Sequence, residues 1–505
     1  MNVNHTCASQ HSLNNWETIS WSKVIYRVNR LQYRIAKAVK EGRWGKVKAL
    51  MYLVTKSFDA KLLAVYRVTT NKGGTTPGVD KTVWLTGEDK IRAAKSLTTK
   101  GYSAKPLRRV HILKKNGKKR PLGIPTMHDR AMQALFAITL DPVAETTADP
   151  NSFGFRLHRS CADAIAQCFL SLCRKNSAQW VFEADIKACF DQISHRWILE
   201  NIPLNKSILE QWLKAGFIEH KRWKPTKQGT PQGGIISPTI MNMVMDGLET
   251  ALSKKFPRWK GKKVNFIRYA DDFIITAGTK ETITEGVIPL VVAFLSERGL
   301  KLSEEKSKVT HINDGFDFLS QNIRKYKGKL LIRPSKQSIQ SFKDKIKAML
   351  RKNRGIPAHA LIRLINPVIR GWSNYHKGIC AKKSFSKLGT FMYYQLRRWA
   401  KYQHGNKNRI WIHKRYFLNN HFSDVRFSPK AVYSYRLYRI AYVPVRYHIK
   451  IKSNANPYNK EYEKYFFKRK KWREDTAKEC KQKTTFVKKV TNSRVSLHRD
   501  SFLSA

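Results

Sequence analysis

Acidic residues are scarce in this chain. Its 505 residues hold 36 Asp and Glu against 97 Lys and Arg, a formal net charge of +61. Such an excess self-repels unless a polyanion neutralises it, and nucleic acid is the obvious one. The basic residues run along the whole chain and are not gathered on one amphipathic helix, which argues against an anionic membrane as partner. Cysteine is also sparse: Cys7, Cys161, Cys168, Cys173, Cys189, Cys380 and Cys480, with no CxxC pair. An odd, scattered set excludes a disulfide framework and a cysteine-rich zinc site, and points to a reduced compartment. Cys161, Cys168 and Cys173 fall in one predicted helix, as small buried hydrophobes. No long apolar run exists; the longest, Val287 to Leu295, is far short of the ~20 residues of a bilayer span. The N-terminus lacks a charged-then-apolar signal pattern and has no arginine before Arg27. No export or import is therefore expected. The expected compartment is a bacterial cytoplasm, or an organelle that encodes the protein. There is no tandem repeat.

What is present is a core-forming chain. Hydrophobic residues make up 42% and aromatics 11%, so this is not a disordered basic tail. The length allows about three domains. Residues 16–66 read as helical: Trp21, Val24, Ile25, Val28, Leu31, Ile35 and Ala38 recur at helical spacing, and Val47, Leu50, Met51 and Val54 begin a second helix. A breaker-rich connector follows at 71–78. Strands and helices alternate from about 105 to 325, which predicts an α+β body. Beyond Arg333 the pattern is helical again, around Ile339–Leu350, Leu361–Ile369 and Phe391–Trp399. From 456 the chain is charged and apolar-poor, and the expectation is loose order.

The chain has one Asp-Asp pair, in Tyr269-Ala270-Asp271-Asp272, between two β-type runs, 264–268 and 273–276. That reads as a hairpin whose tip carries two carboxylates, with aspartate tolerating the unusual backbone angles of a tight turn. A hard cation such as Mg²⁺ is held by one or two carboxylates plus substrate phosphates. A second source of carboxylate is the run Trp180 to Ile186, which ends in Asp185. Two-metal phosphoryl transfer needs carboxylates from separate strands, and Asp185 with Asp271 meets that need if their strands pair. Adjacent residues point to opposite faces, so Asp271 is taken as the bridging ligand and Asp272 as the lesser one. Phe190, five residues after Asp185, is either a core residue or an aromatic lying against a nucleotide sugar, excluding a 2′-hydroxyl. The Gly/Pro-rich run Gln228 to Pro238 offers Gln232 as donor and acceptor, and Gly233 and its neighbours for close backbone approach. A helical run, Met241 to Leu248, follows. The stretch Leu113 to Pro125 reads as a basic hairpin with Asn116-Gly117 at its turn. There Lys114 and Arg120 either neutralise a triphosphate or sit on a solvated tip.

In this order the four elements resemble a reverse transcriptase of the group II intron-encoded type. The resemblance covers roughly residues 16 to 455. It includes Lys61-Leu62-Leu63-Ala64-Val65, Thr76-Pro77-Gly78-Val79-Asp80, Asn151-Ser152-Phe153-Gly154-Phe155-Arg156 and Phe316-Asp317-Phe318-Leu319. It also includes Ile365-Asn366-Pro367-Val368-Ile369-Arg370-Gly371-Trp372-Ser373-Asn374-Tyr375 of a maturase-type thumb. It implies an α+β right-hand polymerase. Its parts would be an N-terminal helical, RNA-binding extension (1–85), fingers and palm (86–328), a helical thumb and maturase domain (329–405), a basic DNA-binding region (406–455) and a vestigial basic tail (456–505). It implies two Mg²⁺ ions at Asp185 and Asp271 with Asp272 near, and deoxynucleoside triphosphate contacts from Lys114, Arg120, Gln232 and Gly233. Phe190 would exclude the 2′-hydroxyl, and Lys306 matches a candidate proton donor to pyrophosphate. The implied partners are the host intron RNA, an RNA template with a DNA primer, and target DNA, with no membrane; a homodimer is left open.

The chain departs from that pattern in three places. Leu113 stands where proline is usual before the triphosphate lysine. Ser320 stands where glycine usually follows Phe318-Leu319 in the primer-gripping turn. After residue 456 there are only Cys480 and His498, far from zinc-site spacing, so no protein-catalysed DNA cleavage is expected. Two other functions compete: a splicing-only maturase that keeps the polymerase fold as an RNA scaffold, and a bacterial reverse transcriptase unconnected with an intron. Retention of all three carboxylates argues against the first. The long N-terminal extension and the maturase-like thumb argue against the second.

Overall fold

Three helices open the chain, Trp21–Lys40, Trp44–Lys56 and Phe58–Thr70, and all pack on the helix Met127–Thr147. The computed structural model describes residues 15–113, 117, 119–417 and 436–474. Val28, Ile35, Val47, Val54 and Val65 are fully buried, at the helical spacing read from the sequence. Gln32 crosses this interface by donating to the Ile138 carbonyl at 2.8 Å. The connector at 71–78 is fixed from below, where Arg130 donates to the carbonyls of Gly73 and Thr76.

Eleven strands follow among the described residues: β1 Leu107–Leu113, β2 Lys119–Ile124, β3 Trp180–Ala184, β4 Phe217–Glu219, β5 Arg222–Lys224, β6 Asn265–Tyr269, β7 Asp272–Ala277, β8 Lys308–His311, β9 Phe316–Phe318, β10 Gln321–Tyr326 and β11 Lys329–Pro334. They form three sheets, ordered β2-β1-β4-β5, β6-β7-β3-β8 and β11-β10-β9. The basic hairpin forms as expected, with Leu113 opposite Lys119. Leu113 is 71% exposed, so exchanging the usual proline for leucine leaves the pairing intact. Lys114 and Asn116 lie outside the described residues.

The central sheet is buried on both faces, and its alternation sorts side chains between two cores. Phe182, Phe273 and Ile275 join the core under the N-terminal helices. Val181, Ile267 and Ile274 join a second core with β9 to β11 and the helices Lys336–Lys352, Ala358–His376 and Lys382–Gln403.

Two expectations need correction. The helical run Met241 to Leu248 is broken: one helix ends at Met245, Gly247 turns at φ +96°, and a second helix, Leu248–Lys255, begins. The break frees Asp246 for a role described below. Loose order from 456 also fails for the residues described there. Residues 463–474 are helical, and Tyr458 and Arg469 are buried. Arg469 and His448 both donate to the buried Asp163 of the helix Cys161–Leu172, at 2.9 and 2.8 Å. Arg159 donates to the Ser453 carbonyl at 2.8 Å. These contacts are polar and far apart in sequence, so composition alone reads as disorder. Leu437, Ile440 and Val443 pack into the thumb core. The segment 436–474 thus runs from thumb to palm as one strap. Residues 475–505, with Cys480 and His498, and residues 418–435 lie outside the described part.

Candidate active site

The Asp-Asp pair sits where two β-runs meet. β6 and β7 pair antiparallel with Tyr269 opposite Asp272, leaving a two-residue turn, Ala270-Asp271. The positive φ of that turn falls on Ala270, at +59°, and not on an aspartate as the sequence suggested. Alanine is small enough for the place: a Cβ on Gly154 would lie 2.2 Å from the Ala270 nitrogen, so a neighbouring backbone passes in contact. Behind the turn lies Arg268, with no exposed side-chain surface. It ion-pairs with Asp246 and donates to the Asn242 side-chain oxygen at 3.2 Å. Asn242 in turn donates to the Gly154 carbonyl at 2.9 Å. A buried ion pair therefore backs the Asp-Asp hairpin.

The strand carrying Asp185 pairs with the hairpin's second strand. β3 and β7 are antiparallel with Ala184 opposite Phe273, and one further step along that register brings Asp185 level with Asp272. Asp185 is fixed by its own backbone: its carbonyl accepts from Ser303 N–H at 2.8 Å. Its carboxylate accepts from Lys306 Nζ at 2.7 Å. Burial, then the charges of Asp271 and Asp185, push the Asp272 carboxyl up to about 6 against the pull of Lys306. Asp272 still keeps surface open to solvent, and a bound cation would relieve the like-charge part of that shift. The hydrogen bond to Asp185 is in turn the largest influence raising the Lys306 ammonium.

Arg120, Phe190, Gln232, Gly233, Asp271 and Asp272 line one cleft of about 410 Å³. Phe190 is half-buried against the first core and also lines the cleft. Gly233 takes φ +119°, and a Cβ there would come 2.6 Å from the Gly123 carbonyl, so the loop lies flat on β2. The Gln232 carbonyl accepts from Gly123 N–H at 2.7 Å, and its amide donates to Asp191 at 3.1 Å. Asp185 and Lys306 are not among the residues that line it. The sequence reading missed Arg268, Asp246, Asp191 and Tyr375. An arginine directly before Tyr-Ala-Asp-Asp in a strand with buried neighbours was the one available signal.

All the candidate metal ligands are carboxylate oxygens, the donors that Mg²⁺ takes. Among the described residues no three His, Cys, Asp or Glu side chains converge closely enough to form a complete cation site by themselves. Among the described residues no helix is long and apolar enough to cross a membrane.

Three family models match the chain in order. They are the N-terminal domain of reverse transcriptase over residues 16–97, reverse transcriptase (RNA-dependent DNA polymerase) over 112–323, and the group II intron maturase-specific domain over 339–417. Protein YkfC of Escherichia coli is 32% identical over 323 residues, covering 55% of this chain and 83% of YkfC. The group II intron-encoded protein LtrA of Lactococcus lactis is 29% identical over 430 residues, covering 66% of this chain and 71% of LtrA. A solved telomerase from Candida albicans aligns with a TM-score of 0.34 and 14% identity, over 64% of this chain and 63% of that one, a likeness too slight to argue from. The ordered domain matches and the extent of the similarity to YkfC show that this chain belongs to the family of group II intron-encoded reverse transcriptases and maturases.

Proposed function

We propose that the protein is an RNA-directed DNA polymerase that also binds its host group II intron RNA and assists its splicing. The observation that carries this reading is the shared cleft: two adjacent carboxylates, a basic side chain, a half-buried aromatic and a glycine-rich loop face one space, at the sheet end where Asp185 emerges. Asp185 and Asp271 would hold two Mg²⁺ ions, with Asp272 the lesser ligand. Bound there, the cations supply Lewis-acid stabilisation of the transferring phosphoryl group and of the attacking primer hydroxyl. Arg120 neutralises the triphosphate of the incoming deoxynucleotide, with Lys114, outside the described residues, as its partner. Gln232 and Gly233 bring backbone and amide up to the nucleotide. Phe190 lies against the sugar and leaves no room for a 2′-hydroxyl. Lys306 Nζ gives a proton to the leaving pyrophosphate when its contact with Asp185 opens.

Intron RNA binding is supported by exposed cations interleaved with aromatics. Arg30 lies over Tyr26 and Lys56 over Tyr52 on the N-terminal helices, and Arg354 lies over Tyr402 in the thumb. Such pairs offer phosphate contact and stacking together. Target DNA is the remaining proposed partner, for the basic residues beyond the thumb. Primer extension on an RNA template with Mg²⁺, beside a splicing assay on the flanking intron RNA, tests the reading. Asp271→Asn is expected to abolish DNA synthesis and leave intron RNA affinity nearly unchanged, because binding is spread over many Lys and Arg. Residual synthesis with a strong loss of RNA binding would sink the assignment.

A further inference from the structure

The thumb reaches the cleft through one hydroxyl. Tyr375, on the helix Ala358–His376, donates from Oη to the Leu319 carbonyl at 2.8 Å. Leu319 and Ser320 form the two-residue turn between β9 and β10, with Gln321 opposite Phe318. Both take left-handed backbone, φ +49° and +62°. For residues with a Cβ this is disfavoured roughly 5- to 30-fold per position, so something must hold the turn. Two contacts do: the Tyr375 hydroxyl on Leu319, and Ser335 N–H on the Ser320 carbonyl at 3.1 Å.

The position of Leu319 assigns the turn a task. Leu319 lines the same cleft as Asp271 and Asp272, and so do Arg120 of β2 and Gln232 and Gly233 of the loop that lies on β2. In an in-line displacement the attacking and leaving oxygens lie on opposite sides of the phosphorus. If the triphosphate lies toward Arg120, the primer hydroxyl arrives from the side of Leu319.

We infer that Tyr375 is a positioning residue for the primer terminus: its hydroxyl holds the Leu319-Ser320 turn in the strained form that the terminus rests on. This rests on the polymerase reading above. The test uses the full chain extending an annealed DNA primer on an RNA template. Tyr375→Phe removes the hydroxyl and keeps the ring. It is expected to raise the apparent KM for primer–template about fivefold, the scale of one hydrogen bond, with kcat, the KM for nucleotide and Tm unchanged. Ser320→Gly added to Tyr375→Phe is expected to restore the wild-type KM, because glycine takes a positive φ without steric penalty. Tyr375→Phe with a wild-type KM, or a raised KM that Ser320→Gly leaves in place, overturns the inference while the polymerase reading stands. A wild-type protein that extends no primer overturns both.

Discussion

Replacing Arg268 with methionine tests how the Ala270-Asp271 turn is held. Arg268 has no exposed side-chain surface; it pairs with Asp246 and donates to the side-chain and backbone oxygens of Asn242 at 3.2 and 3.3 Å. Methionine keeps much of the stem's volume and removes the charge. Breaking a buried pair from one side costs about 3–5 kcal/mol, because the partner is left buried and uncompensated. Part of that cost depends on pH. Burial pushes the Asp246 carboxyl up, and the Arg268 charge is the chief influence holding it down, so in Arg268→Met the carboxyl takes up a proton. A carboxyl whose folded-state pKa stands above its unfolded value binds its proton more readily in the folded state. Its contribution to stability therefore falls as pH rises from the unfolded to the folded value. The variant is expected to stand closest to wild type near about pH 5 and furthest from it near about pH 8. There the deficit approaches the full ~3–5 kcal/mol, or about 3–5 °C in Tm at the unfolding entropy of a chain this long. Thermal unfolding at both pH values measures it, with Arg268→Met/Asp246→Asn alongside, which should lose the pH dependence. An Arg268→Met protein with wild-type Tm near about pH 8, or a deficit that does not grow with pH, refutes the reasoning.

Other outcomes follow from other parts of the molecule. Phe190→Ala should open room for a 2′-hydroxyl and raise ribonucleotide incorporation in a competition assay; unchanged discrimination would leave Phe190 a core residue only. Asp163→Asn should loosen the strap at 446–474 and expose it to protease. Burial alone would push the Asp163 carboxyl up, but hydrogen bonds from His448 and Ser160 hold it down at about 2. A depressed carboxyl stabilises above its unfolded pKa and loses that contribution as pH falls through the folded one. The variant's deficit should therefore be present at neutral pH and vanish only in strong acid; equal protease resistance at neutral pH would count against the latch. Intron RNA affinity should fall steeply with salt, each neutralised phosphate adding roughly 0.7–0.9 to the log–log slope. A slope shallower than about three would contradict an extended phosphate-tracking surface.

The candidate site was legible where chemistry and local pattern coincide. The Asp-Asp pair lies between two β-runs, so hairpin and carboxylates announce each other, and Asp185 closes a short apolar run. The Gln-Gly loop carries its own glycines. What the sequence hid depends on partners remote along the chain. Arg268 meets Asp246 only because Gly247 interrupts a run that reads as continuous helix. Lys306 meets Asp185 across 121 positions and Gln232 meets Asp191 across 41, with no periodicity to mark either contact. The backbone of the turn misled in a smaller way: aspartate tolerates left-handed geometry better than alanine, yet Ala270 takes it, because the crowding by Gly154 favours a small side chain there. The segment at 456–474 reads as disordered because its ion pairs reach partners remote along the chain and its short aromatic face, Tyr462, Tyr465 and Phe466, is set among many charges.

The strap also sets a clock for biosynthesis. Asp163 and Arg469, which pair in the finished protein, are separated by 306 positions. At roughly 5–20 residues per second, a ribosome needs about 15–60 s to pass from one to the other. Throughout that interval the palm helix has its buried carboxylate without its arginine, so the palm surface that receives the strap cannot be completed while the thumb is still being made. The last described residues act as the closing step of folding. A reporter fused directly after them would delay that step only if it folded faster than the strap could dock.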